Sequence, residues 1–249
     1  MAKLLFIAKR GRPDILTAIS FLTTRVTKPN VDDWGKLKRT LQYLKGTLDF
    51  KLTLGADSMT ILKTWVDASY APHHDMRSHS GGCSSFGSGV VMSRSSKQKL
   101  NSKSSTEAEV IGVSDMLPYN LWTVYFLEAQ GYELSNNILY QDNQSAIRLE
   151  KNGLRSAGNK SRHINIRFFL IKDCASREEI TIIYCPTYRM LADFLTKPLQ
   201  GKLFQIFRDV IMGMKHVSFL DDLIGLPSKE RVEDSEKDDM PGNPSKALE

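Results

Sequence analysis

Four acidic residues stand in surroundings where an acid is costly unless it has a task. Asp67 closes the apolar run Ile61-Leu62-Lys63-Thr64-Trp65-Val66, and Asp142 closes Ile138-Leu139-Tyr140-Gln141. An unpaired carboxylate buried at the end of such a strand is penalised by lost hydration. Glu109 lies in the first turns of a helical pattern that starts near Thr106 and is followed by Val110-Ile111, while Asp193 lies between Leu191-Ala192 and Phe194-Leu195. Singly, each acid has a plain structural explanation. Asp142 or Asn143 can cap a helix, and Glu107 and Glu109 can close capping boxes with Ser104 and Thr106. Asp193 can complement a helix dipole, and Asp67 can open a turn. Taken together, two strand-end acids and two helix-start acids in an α/β chain can meet at one edge of a sheet. Carboxylates that meet repel one another unless cations neutralise them, and oxygen-only ligands select hard ions such as Mg2+ or Mn2+. Two such ions side by side activate a water and stabilise the leaving oxygen of a phosphodiester.

The elements that must position these acids follow from periodicity. Residues 4–45 read as two helices, one opened by Pro13-Asp14 with Ile15, Ile19 and Leu22 on one face. The other starts at Val31-Asp32-Asp33-Trp34, carries Leu37, Leu41 and Leu44, and stops at Gly46. From Lys51 the pattern turns strand-like, over Lys51 to Leu54, Thr60 to Ala68, and Ser84 to Ser93 with interruptions at Gly87 and Gly89. A helix follows from Thr106 to Gln130, divided or kinked at Pro118. Then come a strand Asn137 to Gln141, helices from about Asn143 to Lys151 and from about His163 to Ser176, a strand Ile180 to Tyr184, and a helix from about Met190. A meander followed by strands alternating with helices implies an α/β fold, a mixed sheet flanked by helices.

The chain of 249 residues is long enough for one sizeable core, and its net charge of +6 hides an asymmetry. Residues 221–249 hold nine acidic and four basic side chains, so the other 220 residues carry +11. A body that basic attracts polyanions, nucleic acid first among them. The acidic end has almost no apolar period and reads as disordered. No run of 18 apolar residues and no cleavable leader is present, and three scattered cysteines form neither a disulfide framework nor a zinc site, so an intracellular, unsecreted protein is expected. His73, His74, His79 and Cys83 match no standard zinc spacing and read as a loop with scattered imidazoles; Gly87-Ser88-Gly89 reads as a turn or bulge.

Six segments carry a family resemblance. They are Trp65-Val66-Asp67-Ala68-Ser69-Tyr70-Ala71, Arg94-Ser95-Ser96-Lys97-Gln98-Lys99, Ser104-Ser105-Thr106-Glu107-Ala108-Glu109, Asp142-Asn143-Gln144-Ser145-Ala146-Ile147, His163-Ile164-Asn165-Ile166-Arg167, and Leu191-Ala192-Asp193-Phe194-Leu195-Thr196-Lys197-Pro198-Leu199. In this order they closely resemble the ribonuclease H domain of copia-type LTR retrotransposon Pol polyproteins. Arg12-Pro13-Asp14-Ile15 and Leu41-Gln42-Tyr43-Leu44-Lys45-Gly46-Thr47 resemble the segment that joins reverse transcriptase to that domain. The likeness covers roughly residues 4–217, and six ordered motifs are far more specific than any one of them.

The resemblance implies a ribonuclease H-like five-stranded mixed sheet over residues 51–217, a helical remnant of reverse transcriptase over 1–50, and a tail over 218–249. It implies a catalytic and metal-binding quartet of Asp67, Glu109, Asp142 and Asp193 holding two Mg2+ ions, with Mn2+ as substitute. The reaction would be endonucleolytic cleavage of the RNA strand of RNA-DNA hybrids during reverse transcription, leaving a 3′-hydroxyl and a 5′-phosphate. Arg94, Lys97, Lys99, Lys103, Asn143 and Gln144 are the candidates for contact with the nucleic-acid backbone. The polymerase domain of the same polyprotein would be a partner, upstream of Met1, and the setting a cytoplasmic virus-like particle or the nucleus. Where related enzymes carry a loop histidine before the last aspartate, this chain has Cys185-Pro186-Thr187-Tyr188, so another residue would fill that role; His163 is a candidate, with a structural role as its alternative. The competing reading is a decayed or co-opted remnant that binds nucleic acid without cutting it.

Overall fold

The computed structural model describes residues 1–152 and 162–223, built on a five-stranded mixed sheet. Its strands are β1 (Ile61–Ser69), β2 (His79–Ser85), β3 (Met92–Lys97), β4 (Asn136–Gln141) and β5 (Thr181–Tyr184), in the spatial order β3-β2-β1-β4-β5. β1 runs antiparallel to β2 and β2 to β3, whereas β1 and β4, and β4 and β5, pair in parallel. This is the five-stranded mixed sheet flanked by helices that the motifs imply. The central strand is buried on both faces, which explains its near-continuous apolar run. Leu62 and Val66 face the long helix α4 (Ser105–Ala129), while Trp65 joins a second apolar cluster on the opposite side.

Polar side chains register the buried layers. Asn120 of α4 donates to Thr64 Oγ1 on β1 at 2.9 Å and to Asn137 Oδ1 on β4 at 2.8 Å, and Asn137 Nδ2 donates in turn to Asn120 Oδ1 at 2.7 Å. With every partner satisfied, such a network costs little and fixes which strand lies under which turn. At the other end of α4, Gln98 Nε2 donates to Ser80 Oγ and to the carbonyl of Ala108, both at 2.8 Å, while its Oε1 is buried with no hydrogen-bond partner among the described residues.

Three helices precede the sheet: α1 (Ala2–Arg10), α2 (Leu16–Thr23) and α3 (Val31–Lys45). The sequence led us to expect two; the extra one, α1, places only Ala8 in the buried core and so carries little apolar period. Asn30 caps α3 by a reciprocal box, accepting from Asp33 N at 2.8 Å while Asp33 Oδ2 accepts from Asn30 N at 3.0 Å. Ile15, Leu16 and Ile19 share an apolar cluster with Trp65, Leu191, Phe194 and Phe207, so these helices and the sheet bury surface against each other. Arg12 and Asp14 form a buried ion pair, with Nε to Oδ1 at 2.9 Å and Nη2 to Oδ2 at 2.8 Å. Tyr43 Oη of α3 donates to Asp14 Oδ2 at 2.7 Å, and Arg12 Nη1 donates to the carbonyl of Thr47 at 2.9 Å. The two front motifs are therefore the two halves of one clamp.

Several sequence expectations are corrected. Lys51 to Leu54 is irregular, and only Gly55–Ala56 pairs, as a short ladder with Gly87–Ser88. The single strand expected over Ser84 to Ser93 is instead a turn between β2 and β3, with Gly87 and Gly89 at positive φ. β2 escaped notice because His79-Ser80-Gly81-Gly82-Cys83-Ser84-Ser85 has no apolar alternation although every residue is buried. Pro118 lies inside α4 without dividing it. The helix expected from Met190 is a five-residue 3-10 turn, Leu191–Leu195, followed by a helix over Gly201–Ile211. Of the disordered tail expected over 218–249, the first residues are instead ordered, in a 3-10 turn Val217–Leu220 with Leu220 buried, and residues 224–249 lie outside the described residues.

Candidate active site

Asp67 lies near the end of β1 with 1% of its surface exposed, Glu109 in the second turn of α4 with 5%, and Asp142 directly after β4, half-buried. Carboxylate oxygens of these three lie within 4.8 Å of one another. The parallel pairing of β1 with β4 makes this possible, because it sends both strands out at the same sheet edge. Gln141 supports the group, its Nε2 donating to Glu109 Oε2 at 3.4 Å and its Oε1 accepting from Asp142 N at 2.8 Å. Glu107 is engaged elsewhere, as its Oε2 accepts from Lys103 N at 2.7 Å.

Asp193, fully buried on the 3-10 turn, meets Asp67 through a lysine. Lys197 Nζ donates to Asp193 Oδ1 at 2.6 Å and to Asp67 Oδ1 at 3.4 Å. The Thr196 hydroxyl makes a short hydrogen bond to Asp67 Oδ2. Asp193 Oδ2 is buried with no hydrogen-bond partner among the described residues. The structure thus gathers three of the four expected acids and sets the fourth across an ammonium. Thr196 and Lys197 were not singled out from the sequence; their signal was their place three and four residues after Asp193, one turn away.

The electrostatics are those of a crowded acidic site. Burial, then the charges of Asp67 and Asp142, hold the Glu109 carboxyl well above its ordinary range. Burial and Asp67 raise Asp142 as well, and burial followed by Asp67 pushes Asp193 up to about 7. Burial works against the Lys197 ammonium, but Asp67 and Asp193 outweigh it and hold its proton more firmly than an ordinary lysine's. A hard divalent cation fits this donor set, since the ligands are all oxygen, Lys197 offsets only part of their mutual repulsion, and one buried oxygen lacks a partner among the described residues. In the stretch where a loop histidine was sought, Thr187 Oγ1 donates to Asp142 Oδ2 at 3.3 Å. The side chain of His163 lies outside the described residues.

The backbone-contact candidates fall in different places. Lys97 pairs with Asp75 at 2.9 Å and lines a groove of about 960 Å3 that also includes Lys197, Arg25, Lys36 and Arg39. Lys99 and Lys103 are exposed at the entry to α4. Asn143 caps α5 (Gln144–Asn152), its Oδ1 accepting from Ser145 N and Ala146 N at 3.0 Å, and Gln144 is exposed in the first turn. Arg94 sits over the Tyr119 ring at 4.7 Å from its centre. At 1.5 Å per residue that ring is roughly 15 Å along α4 from Glu109, well back from the carboxylates.

Of the residues expected on a loop, His73 and His74 lie on the connection between β1 and β2, whereas His79 and Cys83 belong to β2. His79 is a buried β2 residue whose Nδ1 is 3.0 Å from His73 Nε2 and whose Nε2 is 2.8 Å from Ser95 Oγ, with Phe21 of α2 stacked on both rings. Burial, then the neighbouring His73, pushes His79 down to about 3, so it serves as a neutral packing group between α2 and the sheet. Among the described residues the three cysteines are free and buried, and no helix is long and apolar enough to cross a membrane.

No family model matches the chain. It is 31% identical over 201 residues to the "Retrovirus-related Pol polyprotein from transposon TNT 1-94" of Nicotiana tabacum, a match covering 80% of this chain and 15% of that protein. It is 32% identical over 198 residues to the corresponding polyprotein from transposon RE2 of Arabidopsis thaliana, covering 79% of this chain and 14% of the relative. The chain therefore spans about one-seventh of the length of these relatives. Among solved structures, the N-terminal RNase H domain of a Mycobacterium tuberculosis protein matches with a TM-score of 0.37 at 12% identity, covering 55% of this chain and 91% of that one.

Proposed function

The chain belongs to the retrovirus-related Pol polyproteins of copia-type transposons, and from that premise we propose that it hydrolyses the RNA strand of RNA-DNA hybrids. The observation that carries the reading is the convergence of Asp67, Glu109 and Asp142 from two parallel strands and a helix to within 4.8 Å. Asp67, Glu109 and Asp142 would hold Mg2+, with Asp193 completing the set for a second ion. When bound, the metal supplies a water made nucleophilic near neutral pH and positive charge for the phosphate in flight.

The chain's own residues then have definite tasks. Thr196 and Gln141 fix the rotamers of Asp67 and Glu109, so ligand oxygens are held in place before a cation arrives. Asp193 Oδ2, buried with no hydrogen-bond partner among the described residues, would be available to the second ion. Attack on phosphorus breaks the bond to the 3′ oxygen, which takes up a proton and leaves as a 3′-hydroxyl, with the phosphate retained on the 5′ side. The hybrid would be recognised by its backbone and 2′-hydroxyls, with Lys97, Lys99, Lys103 and Gln144 around the site. In the full polyprotein the polymerase domain would deliver the hybrid, in the cytoplasm or the nucleus.

The test is cleavage of an end-labelled RNA-DNA hybrid by purified protein. We expect RNA nicks in Mg2+ or Mn2+, abolished by Asp142→Asn. A folded protein that binds the hybrid and leaves it intact across both metal titrations overturns the nuclease reading in favour of a binding remnant.

A further inference from the structure

α3 turns a charged face toward the groove of about 960 Å3. Asp33, Lys36, Thr40 and Tyr43 recur at helical spacing and line it together with Arg39, while Leu41 of the same helix is left exposed. From Asp33 to Tyr43 the helix runs about 15 Å. α2 lines the groove through Ala18, Phe21 and Arg25, and the segment after Asp193 lines it through Lys197 and Leu199. The groove therefore reaches the acids of the site, because Lys197 Nζ is 3.4 Å from Asp67 Oδ1. Arg12, Asp14 and Tyr43 hold α3 against the segment leading into α2, so this shape exists before any ligand arrives.

Five cations line the groove, Arg25, Lys36, Arg39, Lys97 and Lys197, against three carboxylates, Asp14, Asp33 and Asp75. Each carboxylate already has a cation, since Asp14 pairs with Arg12, Asp33 with Arg25 and Asp75 with Lys97. Lys36 and Arg39 are exposed and form no ion pair among the described residues. The same lining includes Phe21, Leu199 and Phe204, all half-buried. Cations alone would suit any phosphate backbone, the hybrid's included. Aromatic and apolar surface beside them suits unpaired bases, whose ring faces a duplex keeps stacked inside. We infer that the groove binds single-stranded nucleic acid running on from the hybrid, with phosphates at Lys36 and Arg39 and bases against Phe21, Leu199 and Phe204. The inference rests on the nuclease reading, which puts the hybrid at Asp67. An acidic peptide offers the charge without the ring faces and matches only half of this lining.

Fluorescence anisotropy of the full chain in EDTA tests this. The probes are a blunt RNA-DNA hybrid and the same hybrid with a short single-stranded extension on its RNA strand or, in a separate arm, on its DNA strand. An extension on at least one strand is expected to tighten binding by about tenfold or more near 0.1 M salt. Lys36→Ala with Arg39→Ala is expected to cut that gain to less than about threefold. So is Ala18→Glu, which sets a carboxylate in the groove from an exposed position of α2. Equal binding of blunt and extended hybrids by wild type overturns the inference, as does a gain that survives in both folded variants. Poly-glutamate that displaces the extended hybrid as well as oligoadenylate does, at equal charge, shows a site for acidic peptide and overturns it too. Because no divalent cation is present, these failures leave cleavage in Mg2+ standing. Retention of the gain in a protein that cuts no hybrid removes the nuclease reading and keeps the groove.

Discussion

Gly81 stands against Thr196 with no room for a side chain: a β-carbon there would lie 2.6 Å from Thr196 Cγ2 and 2.8 Å from Leu195 Cβ. Gly81 is the β2 partner of Asp67, so this contact sets how closely the turn bearing Asp193 and Lys197 approaches the catalytic strand. Gly81→Ala should cost about 1–3 kcal/mol through overpacking. Moving the turn by a fraction of its contact distance should lower hybrid cleavage by about 10²-fold. Thr196→Ser removes Cγ2 and keeps the hydroxyl on Asp67, so the double variant should recover part of the loss. Cleavage rates and melting temperatures of the three variants check this, and a Gly81→Ala protein with wild-type activity would show the approach to be slack.

The Arg12 and Asp14 pair makes a second prediction, about stability. Both are buried, and Tyr43 and Thr47 of the following helix and loop complete their hydrogen bonds. Removing one partner leaves the other charge desolvated, so Asp14→Ala should destabilise by about 3–5 kcal/mol. Joint replacement of Arg12 and Asp14 by apolar residues should cost less than Asp14→Ala alone. Urea unfolding curves of the single and double variants distinguish these outcomes, and simple additivity would mean that the clamp is not a unit.

The groove beside Lys197 makes a third. Arg25 and Lys97 on its walls pair with Asp33 and Asp75, whereas Lys36 and Arg39 form no ion pair among the described residues. If the hybrid or its overhang tracks this groove, α3 contributes phosphate contacts that the sequence motifs did not point to. Lys36→Glu with Arg39→Glu should weaken hybrid binding by about tenfold near 0.1 M salt and lower the salt dependence by about two phosphate contacts. Unchanged affinity and slope in fluorescence anisotropy would remove α3 from the interface.

The strand-end positions of Asp67 and Asp142 were legible because an acid closing an apolar run breaks a local rule, and Glu109 because it precedes two buried aliphatics. Asp193 was legible as a candidate, but its element was not, since a 3-10 turn leaves too few residues to display a period. β2 was hidden for a physical reason: its burial relies on glycines and small polar residues that let Met116 and Leu195 come close, and alternation scores neither. The role of Lys197 was hidden because charge pairing over 130 residues has no sequence periodicity. Glu150, buried with neither oxygen partnered among the described residues and pushed up to about 8 by burial, is a further acid that no motif announced.

The crowded carboxylates predict how stability should depend on pH and metal. Asp193 is pushed up to about 7, chiefly by burial and then by Asp67, so the folded protein prefers its protonated form. A carboxyl raised in this way contributes stability that is fully present below its unfolded value of about 4 and lost as pH rises through its folded one. Metal-free protein should therefore melt at lower temperature at pH 8 than at pH 6.5. Below that window the buried His79, pushed down to about 3, acts in the opposite sense, since its stability is present above the unfolded histidine value and lost as pH falls. Divalent cations bind the ionised acids, so Mg2+ should raise the melting temperature more at pH 8 than at pH 6.5. Asp193→Asn should flatten the metal-free slope between those two values, because it removes the proton whose release costs stability there. Thermal unfolding with EDTA and with Mg2+ at both values decides the matter, and a metal-induced shift that does not change with pH would mean that these acids are already ionised in the empty site.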